Sequence, residues 1–202
     1  IEASWQHRNF FPPEGALTVR GVAGTQEQTG SVTYRRNNFR KRDQVLTGLL
    51  SVSNINRNAF DARTVQLSGT LERQTNIIFQ KKWVWSVGGE LVASDERDSF
   101  SQLRGGRRTF FIGALPTGLT YDGSDDLLNP TTGFRLGGRL SPELSFQNST
   151  FGYIRAQIDG SIYQPMSDRI TLAGRARLGT IFGSTVSRIA PSRRFYAGGG
   201  GS

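Results

Sequence analysis

Side chains along this chain alternate in character with a period of two, segment after segment, and that pattern leaves few folds open. Consecutive residues of a β-strand point to opposite faces of its sheet, whereas a helix returns to one face about every 3.6 residues. In residues 153–164 one parity reads Tyr153, Arg155, Gln157, Asp159, Ser161 and Tyr163, and the other reads Ile154, Ala156, Ile158, Gly160, Ile162 and Gln164. Residues 169–181 divide the same way, Arg169, Thr171, Arg175 and Arg177 against Ile170, Leu172, Gly174, Ala176 and Leu178. Thr64, Gln66, Ser68, Thr70 and Glu72 oppose Val65, Leu67, Gly69 and Leu71; Arg135 and Arg139 oppose Phe134, Leu136, Gly138 and Leu140; Leu17, Val19 and Ala23 oppose Thr18, Arg20 and Gly24. No stretch shows helical periodicity of comparable quality, so the chain reads as all-β.

Three further segments alternate less cleanly: residues 44–54, 83–94 and 108–121, the last interrupted by Pro116, which predicts a bulge or an edge irregularity. Connections fall into two alternating sets. Residues 10–15, 37–43, 75–82, 123–133 and 165–168 form one, and residues 26–30, 55–62, 95–107, 145–152 and the tail after Gly183 form the other. Two such sets are what an antiparallel up-and-down meander produces, one at each end of the sheet. With an opening strand over residues 1–9 the pattern predicts roughly ten strands, each long enough to span a bilayer.

Mean hydropathy is only -0.40, and no run approaches the roughly 18 to 20 apolar residues of a spanning helix. A transmembrane barrel strand needs only every second residue apolar, so this value is compatible with spanning. The competing fold is a water-soluble meander or sandwich that buries the apolar faces in a protein core. Two features favour the membrane. Trp83, Trp85, Phe110, Phe111, Tyr121, Phe134 and Tyr163 fall near strand ends, as aromatic girdles do, and the polar parity carries charges suited to a wet lumen. Arg135, Arg139, Arg155, Asp159, Arg175 and Arg177 are the expected lumen-facing charges, with Ile154, Ile158, Ile162, Leu172 and Leu178 facing lipid.

Net charge is +9, a balance that raises nucleic-acid binding, but the arginines are spread along the whole chain and no nucleic-acid partner is expected. The chain has no Cys, which removes disulfides, thiolate metal sites and cysteine nucleophiles. His7 is the sole histidine and so the only candidate base for a Ser-His-acid hydrolase. Beside Arg8 at a strand end it reads as a surface or interfacial residue.

Two local motifs stand out. Asp122, Asp125, Asp126, Asn129, Pro130 and Gly133 lie in a connection between two strong strands. Carboxylates so spaced suit a hard cation, but the regular ligand spacing and closing Glu of an EF-hand are missing, and these are the residues of a tight turn. Residues 189–202 end in Arg194, Phe195, Tyr196, Ala197, then Gly198, Gly199, Gly200, Gly201 and Ser202. This glycine run has no following helix with Lys-Ser or Lys-Thr to make a phosphate loop, and a flexible linker has the same composition. Neither a metal nor a cofactor is expected.

These motifs resemble the BamA/TamA superfamily of outer-membrane assembly barrels, the TamA branch more closely. Residues 122–133 are similar to its conserved Asp-Pro-Gly turn, residues 194–202 to the start of its long inward-folded loop, and residues 5–24 to its early hairpin. The resemblance implies one domain over residues 1–202, an incomplete piece of a barrel of about sixteen strands, running from the second strand to the start of that loop. POTRA domains and the closing strands would lie outside it. It further implies a place in the bacterial outer membrane, lipid and client outer-membrane or secreted proteins as partners, and an inner-membrane partner engaged through POTRA domains. The activity implied is non-enzymatic: a client strand pairs with an exposed strand edge at a lateral seam. The competing function is a passive pore, anion-favouring because its lumen is rich in arginine.

Overall fold

The computed structural model describes residues 1–57, 60–75, 80–98, 106–147 and 149–196. In chain order the strands are β1 (Glu2–His7), β2 (Gly15–Ala23), β3 (Glu27–Arg36), β4 (Gln44–Asn56), β5 (Phe60–Arg73), β6 (Trp83–Asp98), β7 (Arg108–Ala114), β8 (Thr117–Asp122), β9 (Gly133–Gln147), β10 (Ser149–Ser167) and β11 (Ile170–Phe182). One short 3-10 turn, Pro191–Arg193, follows them. Among the described residues the strands form a single antiparallel sheet in which each pairs with its chain neighbours, except that β7 and β8 do not pair with each other. No helix among the described residues is long and apolar enough to cross a membrane. The architecture is therefore an all-β, up-and-down piece of a barrel, ten strand positions wide.

Ten positions accommodate eleven strands because β7 and β8 share one: both pair with β6 and both pair with β9. Leu115 and Pro116 separate them. Glu90 opposes Ala114 and Val87 opposes Thr117, so two residues on each strand span the gap; on the other side Glu143 opposes Ala114 and Leu140 opposes Thr117. The irregularity expected at Pro116 is thus neither an edge nor a bulge that inserts a residue. It is a gap in an interior ladder: Pro116 accepts a hydrogen bond from the Gly88 amide at 2.8 Å but has no N–H to return. Parity passes through unchanged.

That continuity matters because a one-residue slip would turn every later side chain to the other face. Followed from strand to strand, Trp5, Val19, Val32, Leu50, Leu67, Leu91, Gly113 and Leu144 are successive cross-strand partners. Each is apolar or glycine, and the large ones are exposed, from Val32 at 38% to Leu91 at 62%. The opposite face buries polar groups beside a small apolar cluster: Ser94, Glu96, Asp122, Glu143 and Ser145 are all less than a tenth exposed. The chain is thus apolar outside and polar inside, the reverse of a water-soluble sandwich. Strands β4, β5, β9, β10 and β11 contain 13 to 19 residues, more than the roughly 9 to 11 a tilted spanning strand requires.

Some sequence expectations shift. Residues 145–147 and 149–152, expected in a connection, extend β9 and β10, and β10 runs on through Ser167. Among the expected girdle aromatics, Trp83, Tyr121 and Phe134 do cluster outside, with ring centroids 4.9 and 5.5 Å apart. Phe110 and Tyr163 do not join them. Phe110 is fully buried on the inner face with Val92, Ile112 and Ala190, and Tyr163 lies inside beneath the Arg135 guanidinium, 5.6 Å from its ring centre. Tyr163 occupies the polar parity of β10, whereas the inward parity of β7 is itself apolar, with Ile112 and Ala114 beside Phe110, so the face of Phe110 follows from the pairing of β7 with β6 and β9 rather than from proximity to a strand end.

Ile158 is the central residue of β10 and faces outward. Ile158→Arg should cost roughly 2–4 kcal/mol in urea unfolding of the protein in bilayers, whereas Gln157→Ser on the inner face should cost less than about 1 kcal/mol. Equal losses would contradict the assigned faces.

Candidate functional site

After β11 the chain turns back onto the inner face of the sheet. Ile189, Ala190 and Pro191 are buried there, and Ala190 joins the small apolar cluster around Phe110. The Arg108 guanidinium donates to the Ser187 carbonyl at 2.9 Å, and that of Arg188 donates to Ser149 Oγ at 3.0 Å while lying over the Phe151 ring. These contacts fix the entry of the segment. What it reaches next is acidic.

Three carboxylates on the inner wall, Glu90 and Glu96 of β6 and Glu143 of β9, receive it. Glu96 is 1% exposed and accepts hydrogen bonds from the Ser192 amide at 2.8 Å, Ser192 Oγ at 2.6 Å and Ser94 Oγ at 2.6 Å. Arg193 donates from Nη2 to Glu90 Oε1 at 2.5 Å, and its Nε lies 3.8 Å from Glu143 Oε2. Glu143 also accepts from the Tyr153 hydroxyl at 2.7 Å, Arg155 Nη1 at 3.2 Å and Ser141 Oγ at 3.1 Å. Buried carboxylates are tolerable only when their charge and lone pairs are met. Here two strands present the acids and the returning segment supplies part of the balance.

The segment then crosses the interior. Phe195 sits 5.4 Å from the Arg155 guanidinium and against Gly179 of β11, where a Cβ would come within 3.0 Å of the Phe195 ring. Tyr196 stacks on Phe60 of β5 at 6.1 Å and donates from its hydroxyl to the Pro191 carbonyl. The guanidinium of Arg194 bonds back to the Ile189 carbonyl at 3.0 Å. A dozen residues thereby touch β5, β6, β9, β10 and β11, which requires the sheet to curve around them. Of the loop motif, Arg194, Phe195 and Tyr196 are in place on the inner face, while Gly198, Gly199, Gly200 and Gly201 lie outside the described residues.

Glu90, Glu96, Glu143, Ser192 and Arg193 did not emerge from the sequence as site residues. The signal was available in part: Glu90 and Glu143 stand at inward parity, and Ser192 and Arg193 immediately precede the motif. Among the expected lumen charges, Arg155 belongs to the Glu143 cluster. Arg139, Arg175 and Arg177 gather around Asp159, at 4.0, 3.7 and 2.5 Å. Arg135 stands apart, because it clasps the turn before it.

That turn is held by its own side chains. Asp122 pairs with Arg135 at 3.1 Å and accepts from the Ser124 amide and hydroxyl. Asp126 Oδ1 accepts from the Leu128 and Asn129 amides, both at 2.7 Å. Asp125 accepts from the Thr131 hydroxyl and from the Thr131 and Thr132 amides. Pro130 is half-buried in the turn, and Gly133 closes it at φ +99°, where a Cβ would lie 2.3 Å from the Gly123 carbonyl oxygen. The carboxylates are thus engaged by the turn itself, and no group of three metal-ligating side chains occurs among the described residues. His7 ends β1, exposed, between Trp5 and Phe10.

An inside-out antiparallel sheet with its own chain folded onto the polar face defines an outer-membrane type of β-barrel. The sequence matches the Omp85 superfamily domain over residues 9–202, and the chain belongs to that superfamily. It is a barrel piece of the bacterial outer membrane. The crystal structure of BamA from Haemophilus ducreyi lacking POTRA domains 1–3 superposes on all of this chain with a TM-score of 0.75 at 18% identity. The chain spans 42% of the length of that structure. Comparison with curated proteins finds none that matches.

Two outcomes follow from this geometry. Arg193→Ala leaves Glu90 without its cation and Glu143 with Arg155 alone, and should weaken seating of the segment by about 3 kcal/mol, roughly a hundredfold. A cysteine replacing buried Ala190 should then react with a polar maleimide much faster in the Arg193→Ala background; unchanged labelling would show that the pairing does not hold the segment.

In the turn, the Thr131 hydroxyl and the Thr132 and Thr131 amides hold the Asp125 carboxyl well below the usual carboxylate range. A folded value below the unfolded one means that its stabilising contribution is present above about pH 4 and is lost only as pH falls through the lower folded value. The Thr131 and Thr132 amide resonances should therefore hold steady through pH 4 and shift only below it; a midpoint at the ordinary aspartate value would refute the bonding described.

Proposed function

We propose that this chain is wall and regulating segment of an outer-membrane protein-assembly barrel, one that helps insert or export client proteins by pairing their strands with an exposed edge at a lateral seam. No chemical reaction is involved. Membership of the Omp85 superfamily supports an assembly role, and strand-edge pairing is the physical means open to a sheet protein whose clients are themselves strands. In this reading residues 1–202 form one piece of the wall, from the second strand to the start of the inward loop, and the seam strands and POTRA domains belong to other parts of the protein.

The observation that carries the proposal is the bridging of the inner wall by residues 184–196, through Ser192 to Glu96 and Arg193 to Glu90. Free conduction gains nothing from a segment laid across the interior. A barrel that must hold one shape until a client arrives does, because a many-bonded inner strut resists collapse and couples β5 and β6 to β9, β10 and β11. The arginines around Asp159 would then serve as a counter-surface for acidic groups on the remaining wall.

The test reconstitutes the intact protein in bilayers and follows folding of a urea-denatured client barrel by gel mobility, beside single-channel recording. Client folding should accelerate several-fold without nucleotide, Arg193→Ala should lose most of that gain, and no steady conductance should appear. Steady anion-selective conductance with no acceleration would replace this reading with the pore.

A further inference from the structure

The connections at one end of the sheet carry an uneven charge. Those joining β1 to β2, β3 to β4 and β5 to β6, with the strand ends that feed them, contain Arg8, Arg35, Arg36, Arg40, Lys41, Arg42, Arg73, Lys81 and Lys82 against Glu14, Glu72 and Asp43, nine cations to three carboxylates. At the same end the connection between β8 and β9 is acidic, with Asp122, Asp125 and Asp126 against Arg135. The cations form one sector of the rim.

The three connections form one surface because they are bonded to one another. Asn38 donates to Glu14 at 2.6 Å, Arg35 donates to Gln74 at 2.8 Å, the Gln74 amide donates to the Asp43 carbonyl at 2.8 Å, and Lys81 lies 3.6 Å from Asp43. Phe39 in the middle connection has the guanidinium groups of Arg36 and Arg40 over its ring at 6.0 and 5.5 Å.

Parity identifies the partner. Arg36 stands two residues beyond Tyr34 and four beyond Val32 on the outward face of β3, and Arg73 follows Leu67 and Leu71 on the outward face of β5. On the face that meets lipid the order is therefore aliphatic, then aromatic or aliphatic, then cationic, read from the middle of the strand to its end. Trp5, His7, Phe10, Phe11 and Tyr34 continue the aromatic ring-to-ring contact along the same rim. An acidic protein docking on the connection tips would have no use for cations placed on the lipid-facing sides of two strands, whereas headgroup phosphates lie at that depth and on that side.

We propose that this sector binds the phosphates of anionic phospholipids in the leaflet that meets this end of the barrel, with Arg36 and Arg73 at headgroup depth and Arg40 and Lys41 reaching from the connection above them. Such binding would fix the vertical position of β1 to β6 and enrich anionic lipid beside this part of the wall.

The intact protein is reconstituted in phosphatidylcholine vesicles containing trace spin-labelled phosphatidylglycerol or spin-labelled phosphatidylcholine, and the motionally restricted fraction of each is measured. The phosphatidylglycerol label should be preferred at least about threefold at low salt, and the preference should fall toward one in molar salt. The set Arg36→Gln, Arg40→Gln, Lys41→Gln and Arg73→Gln should abolish it, the same four positions changed to lysine where they are arginine should keep it, and Arg57→Gln with Arg63→Gln at the opposite end should leave it intact. Absence of preference in the unaltered protein, or a preference that survives the glutamine set, overturns the proposal. Should the glutamine set fail to fold, the salt dependence of the unaltered protein decides alone. Salt-sensitive capture of a soluble polyglutamate peptide in detergent, without lipid preference in vesicles, would assign the sector to an acidic protein instead and also overturns it.

Discussion

Inside a bilayer an unpaired peptide group has no water to turn to, so a sheet that crosses it must pair every strand and keep one face apolar throughout. Both demands act through register. The outward row from Trp5 to Leu144 stays apolar or glycine across the paired strands only because no residue is inserted anywhere along it, including at Leu115 and Pro116, where the ladder opens but the count is preserved. A single inserted residue on β7 would have turned Phe110 and Ile112 to lipid and Phe111 inward. Everything on the inner face inherits its position from that count.

With the greasy side outermost, the interior has little apolar substance of its own. The buried apolar cluster is Val92, Phe110, Ile112 and Ala190, and one of these four comes from the returning segment. The remaining cohesion is electrostatic and depends on matching. Glu90, Glu96 and Glu143 would be costly if left alone, and Ser192, Arg193, Tyr153 and Arg155 answer them. The segment and the wall are therefore interdependent: the wall's acids are satisfied by the segment, and the segment is seated by the wall's acids.

The two ends of the sheet divide other tasks. At one end the acidic connection between β8 and β9 is closed on itself by aspartates and Gly133, a rigid clasp with no carboxylate to spare. In the neighbouring connections cations accumulate and extend down the outward face, where the aromatic and aliphatic band ends. Charge at the rim of a barrel is inexpensive, since it stays at the water and headgroup level. Its uneven distribution around the rim is therefore informative in a way that total charge is not.

Alternation is a local property, and it determined which segments are strands and which face each side chain takes; Ile158 outward and Arg155 inward were legible from residues 153–164 alone. The turn from Asp122 to Gly133 was legible for the same reason, since its carboxylates bond to groups two to thirteen residues away. Tyr163 was misplaced by position near a strand end, although its parity already put it inside; Phe110 was misplaced as well, and there only the pairing of β7 with β6 and β9 put it inside, because neither parity of residues 108–114 is distinctly polar. What no local pattern could reveal is which residue meets which across the interior. Ser192 and Glu96 are 96 residues apart in sequence, and Arg193 and Glu90 are 103 apart. Their meeting depends on how far the sheet curves and where the chain re-enters it, quantities that accumulate over ten strand positions, and so only the tertiary structure decided the site.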